Sequence, residues 1–201
     1  MANPDSVETP PDVIIIGAGL AGLILSLKPT LTPAEVMGII RYSADDVNAA
    51  LYKGRDEFIG WGRINMEKFR DALIKEVIPA VESAYRVKTR REDRAIAGLS
   101  MGGMQTKNTT MANLDKFSYI GLFSGGNITL AEIKDPAAFK KQVKAVFFGS
   151  GELERPEANL NAAAELKKNG INAVGYVSPR TAHEFLTWRR CLREFAPLLF
   201  K

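Results

Sequence analysis

From residue 94 onward the chain alternates short apolar runs with longer mixed stretches at a steady spacing. That alternation predicts strands at 94–97, 118–123, 145–149 and 172–177, separated by helices at 101–113, 129–143 and 157–169. Gly170 stands where the last of these helices takes its C-cap. A further helix at 184–199 closes the chain. Strands that alternate with helices pair as parallel neighbours. The fold class expected is therefore α/β, a mostly parallel sheet flanked by helices, with its sites at the carboxyl ends of the strands.

The first third is patterned differently. Residues 1–12 hold three prolines and three acids with almost nothing apolar, which predicts a flexible tail. Val13 to Ile16 is β-branched throughout, as in a strand buried on both faces, and glycines lead from it into a helical Leu20 to Leu27. Thr32, Pro33 and Glu35 supply an N-cap hydroxyl, a first-turn proline and a capping-box glutamate, so a helix is expected from there to about Leu51. Gly54, Gly60 and Gly62 mark a loop, and 65–85 reads as a helix bent or restarted at Pro79.

Composition narrows the possibilities. A chain of 201 residues, 46% hydrophobic and 25% charged, has the make-up of a globular domain rather than of a disordered, collagenous or coiled-coil protein. Cys191 is the only cysteine, so neither an internal disulfide nor a cysteine-based zinc site can form, and a small buried apolar role is expected for it. His183 is the only histidine, which removes multi-histidine metal sites and leaves one imidazole for any acid–base chemistry. Neither a metal nor a cofactor is expected. The net charge of +4 divides into about −1 over residues 1–100 and +5 over 101–201, too weak and dispersed for a nucleic-acid surface. Lys88, Arg90, Arg91 and Arg94 cluster, but Glu92 and Asp93 interrupt them, as in a solvated turn. The apolar run 13–27 follows Asp5, Glu8 and Asp12 where a signal peptide carries positive charge, and it is too short and glycine-broken to span a bilayer. A cytoplasmic protein with no membrane partner is expected.

One motif brings chemistry. Gly98-Leu99-Ser100-Met101-Gly102 follows a predicted strand and opens a predicted helix, the context of a nucleophile elbow. Glycines on both sides of the serine let a strained turn pass close to its neighbours, and the Met101 N–H then points at a developing oxyanion. An acid follows the third strand of the alternation and the sole histidine follows the fourth, giving the order serine, acid, histidine. His183 lies in a loop ahead of a helix, where its ring can swing over Ser100. Glu152 and Glu154 both lie just beyond Gly149-Ser150-Gly151 and either can orient the ring, Glu154 being favoured. Ser124 and Gly125, past the second strand, are expected to line the substrate pocket.

At these residues a resemblance emerges. Ile78-Pro79, Tyr85-Arg86-Val87, Arg94 to Gly103 with Gln105, Asn113 to Phe117, and Ala182-His183-Glu184-Phe185 with Trp188 make Asp71 to Lys201 similar to the C-terminal half of a feruloyl-esterase or acetyl-xylan-esterase type α/β-hydrolase. The resemblance implies a truncated α/β-hydrolase-like fold and a serine carboxylic-ester hydrolase acting on a small-molecule ester. It also implies Ser100 as nucleophile, His183 as general base and acid, and Glu154 where the family commonly has aspartate.

The N-terminal part resembles other families. Asp12 to Gly22, with G-x-G-x-x-G at Gly17, Gly19 and Gly22, is similar to the opening of a dinucleotide fold, although no second strand ending in an acid follows. Residues 24–65 are similar to the last helices of a subtilisin-like protease through Leu31 to Val36, Ser43 to Val47 and Gly60 to Asn65, without a protease active-site motif. The expected organisation is a mosaic: a tail at 1–12, a strand and helices of separate origin at 13–70, and the hydrolase part at 71–201. Val13 to Ile16 is expected to fill the slot beside the elbow strand, with Gly17 to Gly19 giving the second oxyanion N–H, assigned to Gly19. Failing that, a second chain completes the sheet edge in a homodimer. A non-catalytic scaffold with an unsupported triad, and a dinucleotide binder, are the competing functions.

Overall fold

The structure, a computed structural model, describes residues 66–201 throughout and, of the preceding chain, the strand backbones at 13–17, 44–45 and 63–64. Strands β1 (Val13–Gly17), β4 (Arg94–Leu99), β5 (Tyr119–Phe123), β6 (Ala145–Gly151) and β7 (Ala173–Ser178) form one parallel sheet in that order. The short strands β2 (Ala44–Asp45) and β3 (Arg63–Ile64) pair antiparallel apart from it. Helices α1 (Met66–Ala72) and α2 (Ile78–Ala84) precede β4, and α3 (Met101–Ala112), α4 (Pro136–Gln142), α5 (Glu157–Lys168) and α6 (Phe185–Phe195) follow β4, β5, β6 and β7 in turn. Among the described residues no helix is long and apolar enough to cross a membrane.

The central strands are buried on both faces, and their period of two sorts side chains between two cores. Ile120, Leu122, Val146 and Phe148 face Phe139 of α4 and Ala162, Ala163 and Leu166 of α5. Tyr119, Phe123, Ala145 and Phe147 face Cys191 and Phe195 of α6. A third cluster joins Phe69, Leu73 and Ile78 to Ile96 and Phe117.

β1 lies where the sequence puts it, with Val13 opposite Arg94 and Gly17 opposite Gly98. The elbow strand is therefore flanked within its own chain, and no second copy is needed to cover that side.

Local chemistry explains several boundaries. Helix α5 ends in a Schellman turn: Gly170, at φ +75°, donates to the Lys167 carbonyl and Ile171 to that of Leu166. The single helix expected at 129–143 is instead a 3-10 turn (Leu130–Glu132) followed by α4. Pro136 has no N–H to continue a helix from Thr129, and Asp135 caps a fresh one by accepting from the Ala138 N–H at 2.9 Å. In the 65–85 segment the distortion precedes the proline: Leu73–Val77 is a π turn, closed by the Ile78 N–H on the Leu73 carbonyl. Pro79, which has no N–H, then falls in the first turn of α2. A helix unbroken to Leu51 is also corrected, because Ala44 and Asp45 pair with Ile64 and Arg63. Ladder pairing there overrides local helix propensity. Helix 20–27, and most of the stretches likened to dinucleotide-binding and protease folds, lie outside the described residues.

Candidate active site

The chain leaves β4 at Ser100 with φ 53° and ψ −123°, a conformation that costs a residue with a side chain on the order of 1–3 kcal/mol. Backbone bonds hold it there: the Ser100 N–H donates to the Phe123 carbonyl at 2.8 Å, and its own carbonyl accepts from Gly103 at 2.9 Å and from Met104 at 3.4 Å. Glycine is needed on the strand side because a Cβ at Gly98 would overlap the carbonyl of Gly102. The serine sits at the N-terminus of α3, where the N–H groups of Met101 and Gly102 have no intrahelical acceptor.

His183 approaches from the loop after β7. Its Nε2 is 2.8 Å from the Ser100 Oγ, and its Nδ1 is 2.6 Å from the Glu154 Oε1. The ring is half exposed, while the Glu154 side chain is 15% exposed. Glu154 Oε2 accepts from the Gly151 N–H and from the Ser124 hydroxyl, both at 2.7 Å. Burial alone would raise this carboxyl's pKa, but the hydrogen bonds from Gly151, Ser124 and His183 outweigh it and hold the group below the ordinary glutamate value. Glu154 is thus an ionised acceptor at neutral pH, with one oxygen on the ring and the other held by its own loop.

The structure separates the two glutamates. Glu152 accepts from the Arg180 N–H at 2.7 Å and ties the acid loop to the histidine loop, whereas Glu154 alone meets the ring. A second tie runs from the Leu153 N–H to the Thr181 carbonyl at 3.0 Å. Gly151 permits the approach, since a Cβ there would lie 2.7 Å from the Ala182 carbonyl oxygen. Arg190 donates to the Pro179 carbonyl at 3.0 Å and pins the start of the histidine loop.

Residues 42–185 match the family described as "Putative esterase". The chain belongs to this esterase family. It is 47% identical over 140 residues to an "Endo-1,4-beta-xylanase/feruloyl esterase" of Xylanibacter ruminicola, covering 70% of this chain and 19% of that protein. The chain thus spans about a fifth of that relative's length. A CE1 ferulic acid esterase from Anaeromyces mucronatus, solved with ferulic acid, superposes with a TM-score of 0.61 at 19% identity, covering 95% of this chain and 79% of that one. A serine-to-alanine mutant of the feruloyl esterase module from Clostridium thermocellum, complexed with sinapinate, gives 0.59 at 19% identity, covering 93% and 76%. These likenesses show the α/β-hydrolase-like fold. The family match also takes in residues 42–70, which the sequence motifs set apart from the hydrolase portion; a mosaic origin gains no support.

The structure shows what Ser124 and Gly125, both expected to line the substrate pocket, are held against. Ser124 has its hydroxyl taken up by Glu154 and by the Trp188 indole, whose Nε1 donates to it at 3.0 Å. Gly125 is packed against backbone: a Cβ there would lie 2.8 Å from the Ser100 carbonyl oxygen, and Gly103 faces it at the same close range. Both support the elbow and the acid, a role their position past a strand end does not disclose. Trp188 also escapes sequence reasoning as more than a family mark, yet its ring stands edge-on to His183 with centroids 5.2 Å apart. Met101 is placed as expected at the first turn of α3, and Gly19 lies outside the described residues. Cys191 is no rival nucleophile: burial, with Glu154 adding to it, pushes its thiol up to about 12. Among the described residues no group of His, Cys, Asp or Glu could hold a metal ion.

Proposed function

We propose that the chain hydrolyses carboxylic esters of the feruloyl or acetyl type through an acyl-enzyme on Ser100. The observation that carries this reading is the unbroken hydrogen-bonded line from the Ser100 Oγ through both nitrogens of His183 to Glu154. As the Ser100 Oγ attacks the ester carbonyl carbon, its proton passes to His183 Nε2, and the carbonyl electron pair moves onto oxygen. Glu154 keeps the Nδ1 proton in place and stabilises the imidazolium. Collapse of the adduct expels the alcohol, which takes the proton from Nε2, leaving acyl-Ser100. Water repeats the sequence and releases the acid.

The oxyanion is assigned to the N–H groups of Met101 and Gly19. Register supports the second, because Gly17 lies opposite Gly98 and the chain leaving β1 starts beside the elbow. The apolar side chains of Met101, Leu153 and Phe185, one or two residues in sequence from Ser100, Glu154 and His183, are exposed and suit an apolar acyl group. The relatives' names supply feruloyl esters as the class to test.

The test is turnover of methyl ferulate and of a short-chain aryl acetate by the parent and by Ser100→Ala. Loss of a triad nucleophile costs on the order of 10⁶ in kcat. Ser100→Ala within tenfold of an active parent overturns the reading, and a parent no faster than buffer would favour the non-catalytic scaffold.

A further inference from the structure

We propose that Ser124, backed by Trp188, is the positioning residue for Glu154. It sets the rotation of the carboxylate so that Oε1 faces the imidazole. The inference rests on the reading of Ser100, His183 and Glu154 as catalytic and adds the device that aims the acid.

The direction of each hydrogen bond follows from the groups themselves. An indole N–H can only donate and an ionised carboxylate can only accept, so the Ser124 oxygen accepts from Trp188 at 3.0 Å and its single proton goes to Glu154 Oε2 at 2.7 Å. The hydroxyl's one proton is therefore committed to the acid. Glutamate has one more side-chain torsion than aspartate, and a carboxylate held through one oxygen alone can turn about its last bond. Two donors on Oε2, the Gly151 N–H and the Ser124 hydroxyl, remove that freedom.

The backbone is built around this contact. Ser124 adopts φ +49° and donates its N–H to the Gly149 carbonyl at 2.7 Å. Gly125 beside it packs closely on the elbow helix, since a Cβ there would meet the Gly103 Cα at 2.5 Å. The same indole that feeds Ser124 stands edge-on to the His183 ring, so one side chain braces the base directly and the acid through Ser124.

The test is a double-mutant cycle on aryl ester turnover. Ser124→Ala should lower kcat about ten- to a hundredfold, what a hydrogen bond to a charged group is worth, with KM within about twofold. In a Glu154→Ala background the same change should alter kcat by less than about twofold, because there is no carboxylate left to aim. Trp188→Phe keeps the ring and removes only the N–H, so it should cost a smaller factor that disappears in the Ser124→Ala background. If Ser124→Ala fails to fold, Trp188→Phe carries the test alone, and its loss should then disappear in the Glu154→Ala background. Equal losses with and without Glu154 would show a merely structural serine and overturn the proposal, as would no loss in the parent. An inert Ser100→Ala beside a neutral Ser124→Ala defeats only the positioning role. An active Ser100→Ala defeats the reading beneath it.

Discussion

Glu154→Asp is the substitution on which the geometry speaks most directly. The change withdraws the carboxylate by one carbon–carbon bond, about 1.5 Å. The contact to His183 Nδ1, now 2.6 Å, would open to about 4 Å, beyond any hydrogen bond. The loop cannot advance to compensate. Gly151 already abuts the Thr181 and Ala182 carbonyls, and the Leu153 N–H is bound to Thr181 across the same gap. Aspartate should therefore lose the ring together with the Gly151 and Ser124 donors. In Glu154→Gln the shape survives but the chemistry conflicts, since the amide NH2 must face either the Nδ1 proton or the Gly151 N–H. Without an acceptor at Nδ1 the imidazole no longer keeps Nε2 free to take the serine proton. Both variants should lose about 10³ to 10⁴ in kcat, roughly 4 to 5.5 kcal/mol of barrier, with KM little changed. Glu152→Gln should stay within about fivefold of the parent, since its carboxylate serves only the Arg180 N–H. Initial rates with an aryl acetate across substrate concentration separate kcat from KM. Glu154→Asp within tenfold of the parent would refute the claim that the loop is rigid. A severe Glu152→Gln beside a mild Glu154→Gln would refute the assignment of the acid.

Gly98→Ala should destabilise the protein by about 1–3 kcal/mol or prevent folding, because the new methyl meets backbone of α3, which has no rotamer to yield; a melting temperature equal to the parent's would show that the strand and helix can part. The lowered pKa of Glu154 contributes stability that is fully present above the unfolded glutamate value and is lost as pH falls through its lower folded value. The stability difference between the parent and Glu154→Gln, measured by urea unfolding from pH 7 to pH 3, should hold steady down to about pH 5 and narrow below about pH 4. A difference that widens on acidification would mean that the carboxylate is not held by its donors.

The sheet was legible because its strands are buried on both faces and read as apolar runs such as Tyr119–Phe123, and because Gly170 ends α5 by the mechanism its residue type suggests. Ser100, His183 and Glu154 were legible through chain order and the glycine-flanked serine. What escaped was what depends on partners distant in sequence. Ser124 and Glu154 are 30 residues apart, and Ser124 and Trp188 are 64 apart, so no local pattern announces that one hydroxyl joins them. The single available sign was Ser124-Gly125-Gly126 at a strand end, a serine at a tight turn, and it fits pocket lining equally well. The split of 129–143 was missed although Asp135-Pro136 marks a helix start, because the apolar positions run on across it.

The same arrangement explains how four loops agree on one geometry. Among the described residues five other than glycine have positive φ, and four of them, Ser100, Ser124, Arg155 and Arg180, stand in the loops beyond β4, β5, β6 and β7. Strain gathered in this way persists only where the surroundings over-determine it. Here the surroundings are the ends of the neighbouring strands. Leu99, Phe123 and Gly149 lie in register across β4, β5 and β6, and the next residue along each step donates to the neighbouring strand, Ser100 to the Phe123 carbonyl and Ser124 to that of Gly149. Gly151 then pairs with Ser178, and the Leu153 N–H reaches the Thr181 carbonyl in the histidine loop. Each loop is thus indexed to the next by the sheet itself, and a slip of one residue in any ladder would turn its side chains to the opposite face and carry the site apart. The hydrogen-bonded line from Ser100 to Glu154 is in that sense a consequence of strand register, with Ser124 and Trp188 making the last adjustment at the acid.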